Sequence, residues 1–167
     1  MTEPADRVGR IQAEWARERP ELDVGPQGVI GRLHRVGAAL TEELTVVYRQ
    51  HGLSEGDFDV LATLRRAGAP FERTPTELAE HTMVTTGAMT KRIDRLVGRG
   101  LATRRASDTD GRGRVVALTP EGRVLIDVAF EEHLRNEERL LGGLTIPERA
   151  QLESLLTKWA AQLPSGD

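Results

Sequence analysis

The stretch from Thr74 to Thr119 restricts the possible folds more than any other part of the chain. It opens TPTELAEHTMVTTGAMTKRIDRLVGRGLATRR and closes DTDGRGRVVALT. Thr74, Pro75 and Glu77 make a helix start: a hydroxyl that accepts a backbone N–H, a proline where no N–H is needed, and a carboxylate that reaches back. The pattern predicts a short helix from Pro75 to near His81, a turn, and a second helix from about Thr85. Met89, Ile93, Leu96 and Leu101 give the second helix one apolar stripe. At about 100° per residue, Gly87, Lys91 and Arg95 fall opposite that stripe, and Arg92 lies on its flank. Two short helices joined by a tight turn, the second basic on its free side, form a helix-turn-helix whose second helix suits a DNA major groove. Lys91 and Arg95 are the expected DNA contacts, with Thr85, Thr86, Gly87 and Thr90 near base edges or phosphates.

Gly100 can end the second helix as a left-handed cap, after which Leu101 to Arg105 read as a short strand. Asp108 to Gly113 is rich in turn residues, and Val115 to Leu118 is an apolar run with strand character. The expected result is a β-hairpin with a basic tip, where Arg112 and Arg114 could press on phosphates or a minor groove. Helix-turn-helix plus hairpin is a winged helix. The fold class read from the sequence is therefore mainly α with a small β-hairpin wing.

Charge supports this placement. The net charge of −3 over 167 residues argues against a uniformly basic nucleic-acid binder. Between Lys91 and Arg123, however, nine Lys and Arg face four Asp and Glu, while the remainder is strongly acidic. A basic surplus confined to one motif fits a single phosphate-facing surface better than a generally solvated helix. The chain has no cysteine, which excludes thiol redox sensing and thiolate metal sites. His34, His51, His81 and His133 fall on separate elements without metal-ligand spacing, so neither metal nor cofactor is expected. No apolar run approaches a membrane span, and Met1 to Arg10 lacks the apolar core of a secretion signal, so the expected location is cytoplasmic.

The flanks read as helices. Ala5 to Arg19 carries Val8, Ile11 and Trp15 on one side and stops before Pro20. Pro26 to His51 is a long helix with Val29, Ile30, Leu33, Val36, Leu40, Leu44 and Val47 in helical period. Ser54 to Asp57 opens a third helix with Phe58, Leu61 and Leu64 inward, before a loop at Gly68-Ala69-Pro70. Thr119-Pro120-Glu121 starts another long helix, with Val124, Leu125, Val128, Leu134 and Leu141 as apolar positions. Thr145 with Glu148 starts the last, which runs to about Leu163. The expected organisation is N-terminal dimerisation helices over residues 1–53, a DNA-binding domain over 54–118 and C-terminal dimerisation helices over 119–167. Their apolar faces exceed what a small wing domain can cover, so an obligate homodimer is expected. A two-fold dimer would hold its reading helices roughly 34 Å apart on a pseudo-palindromic site in double-stranded DNA.

The run from Thr76 to Arg105, followed by DTDGRGRVVALTPEGR, resembles the multiple-antibiotic-resistance-regulator (MarR) family of dimeric transcription factors. Its most specific parts are Asp110 and Arg112, the family's wing salt bridge, and Leu118 to Gly122, which closes the wing. The added N-terminal helix resembles a subgroup that responds to urate and related small anions. That resemblance implies a ligand set of Trp15, Asp59, Arg92 and Arg104. Two guanidiniums can fork onto an anion, an aromatic ring can cover a flat ligand, and a carboxylate can accept from ring N–H groups. Urate, trans-aconitate and citrate all fit such a set. Trp15 as a core filler and Asp59 in an ordinary ion pair are the structural alternatives. His34 matches a position near the dimer two-fold, where protonation would set like charges together.

The function implied is a ligand-responsive regulator, most often a repressor in this family. A winged helix used only for protein–protein contact would leave the confined basic patch unexplained. An enzyme is not expected, because the chain shows no phosphate loop, nucleophile elbow or metal-ligand cluster.

Overall fold

The computed structural model describes residues 6–82, 86–106 and 114–163, with the side chains of all of these except residues 86–88. Two compact units form, Met1–Glu43 and Leu44–Asp167. Among the described residues ten elements follow in order: α1 (Arg7–Glu18), α2 (Gly25–Gln50), α3 (Glu55–Arg66), β1 (Glu72–Arg73), α4 (Pro75–Thr82), α5 (Thr86–Gly98), β2 (Ala102–Ala106), β3 (Arg114–Leu118), α6 (Pro120–Leu140) and α7 (Ile146–Ala160).

In the first unit, Asp6 caps α1 by accepting from the Gly9 N–H at 2.7 Å. Its carboxylate also pairs with Arg32 of α2. Val8 is buried, and a Cβ on Gly31 would meet it at 3.1 Å, so a small residue on α2 lets α1 approach closely. Val29, Ile30, Leu33, Val36 and Leu40 of the same helix are exposed.

The second unit holds the main core. Leu53, Phe58, Leu61 and Leu64 meet Leu78 of α4, Met89, Ile93 and Leu96 of α5, Val116 of β3, and Ile126 and Ala129 of α6. The expected stripe of α5 is thus the buried one, and Leu101 joins the core from beyond the helix end. Gly100, at φ +70°, makes the left-handed turn, and the Leu101 N–H donates back to the Leu96 carbonyl at 3.0 Å. At the start of α4, Thr74 and Glu77 form the expected reciprocal bonds at 2.7 and 3.2 Å.

The wing is a three-stranded antiparallel sheet ordered β1-β3-β2. The two-residue β1 strand, paired through Glu72 with Ala117 and Arg73 with Val116, was not anticipated. Two residues carry no readable alternation, and this strand exists only because β3 offers it an edge. The guanidiniums of Arg65 and Arg123 each lie over the Phe71 ring, 5.1 and 4.7 Å from its centroid, and the Phe71 carbonyl accepts from Leu118 N–H. This clasp fixes the root of the wing to α3 and α6.

Of the apolar positions expected on α6, Leu125 packs against the core. The packed face of the helix is Gly122, Ile126 and Ala129, whereas Val124, Val128, Leu134 and Leu141 are exposed. A period count finds both stripes but cannot say which one meets the core. Helix α7 buries no residue, leaving Leu152, Leu155 and Leu156 exposed. Among the described residues, no helix is long and apolar enough to cross a membrane.

Candidate nucleic-acid interface

Helix α4 and helix α5 pack on α3, and β2 continues from α5, so one rigid core positions both the reading helix and the wing. Lys91 and Thr90 lie exposed on α5. Arg114 is exposed as the first residue of β3. Thr86 and Gly87 fall in the first turn of α5, while Thr85, Asp110 and Arg112 lie outside the described residues.

Arg95, expected to face DNA, has a half-exposed side chain that is bonded to the first turn of α3. Its Nη2 and Nε donate to Asp57 Oδ1 at 2.7 and 2.9 Å, and Nη2 also reaches Ser54 Oγ at 3.1 Å. The Asp57 carboxylate is 3% exposed and accepts in addition from the Ser54 N–H and hydroxyl at 3.1 and 2.8 Å. Burial alone would push the Asp57 carboxyl up, but the bonds from Arg95 and Ser54 outweigh it and hold it below the ordinary aspartate range. The sequence identified Asp57 only as a cap, and no local pattern announces a partner 38 residues away.

The residues named for anion binding fall into separate settings. Trp15, in the first unit, is 47% exposed beside Leu22, Val24 and Gln27. Asp59 and Arg92, in the second, lie in electrostatic reach of one another. Burial and then Glu55 push the Asp59 carboxyl up, with Arg92 and Arg66 opposing. Arg104 pairs with Asp94 of α5 at 3.0 Å. His34 is exposed on α2 beside Arg35 and Glu42.

Arg92 owes its position to a glycine that the sequence reading passed over. A Cβ on Gly56 would stand 2.4 Å from the Arg92 guanidinium carbon, so the side chain lies flat against the first turn of α3. A glycine one residue beyond the helix start, where a better helix former costs less, is the signal that could have revealed this. Arg92 Nη1 is buried and has no hydrogen-bond partner among the described residues. Asp59 also lines a cleft of about 370 Å³, walled by Tyr48, Phe58, Phe130 and His133, with Arg66 and His81 at its edge. Burial pushes the Tyr48 hydroxyl up to about 12, so it stays protonated, 3.3 Å from His133 Nδ1.

A basic second helix on a rigid helix-turn-helix, with an arginine at the base of a three-stranded wing, defines a winged-helix DNA-binding protein. Residues 51–113 match the family model described as MarR family, and the chain belongs to that family of transcriptional regulators. It is 39% identical over 149 residues to the HTH-type transcriptional regulator PecS of Dickeya dadantii, covering 89% of this chain and 90% of that one. A cysteine-to-serine mutant of MarR from E. coli, solved with operator DNA, superposes with a TM-score of 0.69 at 29% identity, covering 86% of this chain and 96% of that one. Bordetella bronchiseptica BpsR, whose structure addresses regulation of DNA binding by 6-hydroxynicotinic acid, superposes with a TM-score of 0.69 at 25% identity, covering 80% and 98%.

Proposed function

We propose that this regulator acts as a homodimeric repressor that a small anionic metabolite releases from a pseudo-palindromic operator. The observation that carries the effector half is Arg92. It stands on the reading helix with one buried guanidinium nitrogen unpartnered among the described residues, beside an Asp59 whose carboxyl is raised by burial. An anion would satisfy the first group, and a ligand N–H the second. Urate, trans-aconitate and citrate remain the candidate class, with Trp15 and Arg104 as further proposed contacts. The ring-walled cleft beside Asp59 favours a flat ligand, and BpsR offers a related case of control by a heteroaromatic acid.

The DNA half rests on Lys91, Thr90, Thr86, Gly87 and Thr85 of the reading helix and its start, and on Arg112 and Arg114 of the wing, with Asp110 bracing Arg112. Homodimerisation is supported by the exposed apolar faces of α2, α6 and α7, which a monomer would present as large patches. His34 is proposed to meet its copy near the two-fold, weakening the dimer when protonated. A gel shift with the DNA upstream of the protein's own gene, repeated across salt concentrations, tests the regulator reading. Salt-dependent retardation supports it, and none at low salt opposes it.

A further inference from the structure

Arg95 makes its firmest contacts away from the outer face on which the sequence placed it. Its guanidinium grips the first turn of α3 through Asp57 and Ser54, with four donor–acceptor contacts between 2.7 and 3.2 Å. The carboxylate it grips is buried and already carries two bonds from Ser54, so its acceptor positions are filled and its orientation is fixed. Two elements distant in sequence are thereby pinned at one point: the latter half of the reading helix and the N-terminus of the helix at the centre of the core.

We propose that Arg95 is a positioning residue, which sets the tilt of the reading helix by anchoring it to Asp57, and is not a reader of bases or phosphates. Electrostatics favour this assignment. Arg95 is exposed on the helix as Lys91 is, with 48% of its side chain accessible, but its charge is balanced by a carboxylate at hydrogen-bond distance, which reduces what it adds to the positive field of the DNA face. Geometry agrees, because the Nε–Nη2 edge of the guanidinium, one of the edges that can fork onto a guanine or a phosphate, is occupied by Asp57. Lysine cannot reproduce that fork, so retaining the positive charge alone is insufficient.

The test uses a duplex selected by the full-length protein from a randomised pool, and a shuffled duplex of the same composition. Arg95→Gln, Arg95→Lys, Asp57→Asn and the double variant Asp57→Asn/Arg95→Gln are titrated against both. Positioning predicts that each single variant binds the selected duplex about 2- to 30-fold more weakly, with shuffled-duplex affinity and the slope of log K against log salt unchanged. It also predicts that Arg95→Lys is nearly as weak as Arg95→Gln, and that the double variant is no weaker than the weaker single one. Direct DNA contact predicts the opposite signs. Asp57→Asn would tighten binding by removing a carboxylate that competes for Arg95, a phosphate contact would make Arg95→Gln lower the salt slope by about one unit, and a base contact would make Arg95→Gln lose its preference at one position of the site. Any of those three results overturns the proposal. Because Asp57 also caps α3, Arg95→Gln, read by its salt slope and by its preference at single positions of the duplex, is decisive if Asp57→Asn fails to fold.

Discussion

A Cβ placed on Gly122 would stand 1.9 Å from the carbonyl oxygen of Leu101. The first turn of α6 therefore lies directly on the root of the wing, and Thr119 secures it by donating its N–H to that same carbonyl and its hydroxyl to the Gly100 carbonyl at 2.8 Å. The obstructing atoms, the carbonyl oxygen, carbonyl carbon and Cα of Leu101, all belong to backbone, so none can rotate aside. Gly122→Ala is expected to cost about 1–3 kcal/mol, the usual range for overpacking a tight contact. Urea unfolding at a fixed protein concentration checks this, and an unchanged midpoint would contradict the close approach.

Asp57 and Asp59 should respond to pH in opposite directions. The folded-state pKa of Asp57 lies below its unfolded value, so its stabilisation is complete above the ordinary aspartate range, about 4, and is lost as pH falls through the lowered value. Glu77, held down by the Thr74 N–H and hydroxyl, adds to the same acid limb. Asp59 is raised by burial, so its ionisation costs stability as pH climbs out of that range. Asp57→Asn is expected to lower stability at neutral pH and flatten the acid limb. Asp59→Asn is expected to raise stability at neutral pH, with the gain vanishing in acid. Urea midpoints from pH 3 to 7 decide, and a shared sign at pH 7 would refute the contrast.

Lys91 and Arg114 are exposed cations on the proposed DNA face. Lys91→Gln and Arg114→Ala are each expected to reduce the slope of log K against log salt by about one unit while weakening all sequences comparably. Fluorescence anisotropy with a labelled duplex reads both quantities. An unaltered slope in Arg114→Ala would remove the wing from the interface.

Gly56 should matter to effector and not to DNA. Alanine there displaces the Arg92 guanidinium from its seat on α3, since the added carbon would lie 2.4 Å from it. Gly56→Ala and Arg92→Ala are therefore expected to bind the selected duplex nearly as wild type yet require far more metabolite for release. A normal response in Arg92→Ala would place the pocket elsewhere.

The elements were legible in the sequence where a local rule states them. Thr74 with Glu77, Ser54 with Asp57, Gly100, and the Met89-Ile93-Leu96 stripe each carry their own chemistry within one or two turns, and each stands where that chemistry puts it. What escaped depends on partners far along the chain: Asp57 beneath Arg95, Gly56 beneath Arg92, Gly122 against Leu101, and β1 on the edge of β3. Which face of α6 meets the core was not legible for a related reason. Periodicity finds an apolar stripe, whereas the choice between core and exposed face is made by the packing of other helices.

In the proposed mechanism, occupancy of a site bearing on Arg92 and Asp59 loosens the reading helices from DNA. A ligand can shift that equilibrium only by its differential affinity for the two arrangements, and a coupling of roughly 1–3 kcal/mol changes DNA affinity about 5- to 150-fold. Titrating urate, trans-aconitate and citrate separately into the preformed complex of wild-type protein and labelled duplex, at constant pH and ionic strength, measures it directly. Release by at least one of them, with apparent DNA affinity falling within that range, is the predicted result. Retention of the duplex at millimolar concentrations of all three would contradict it.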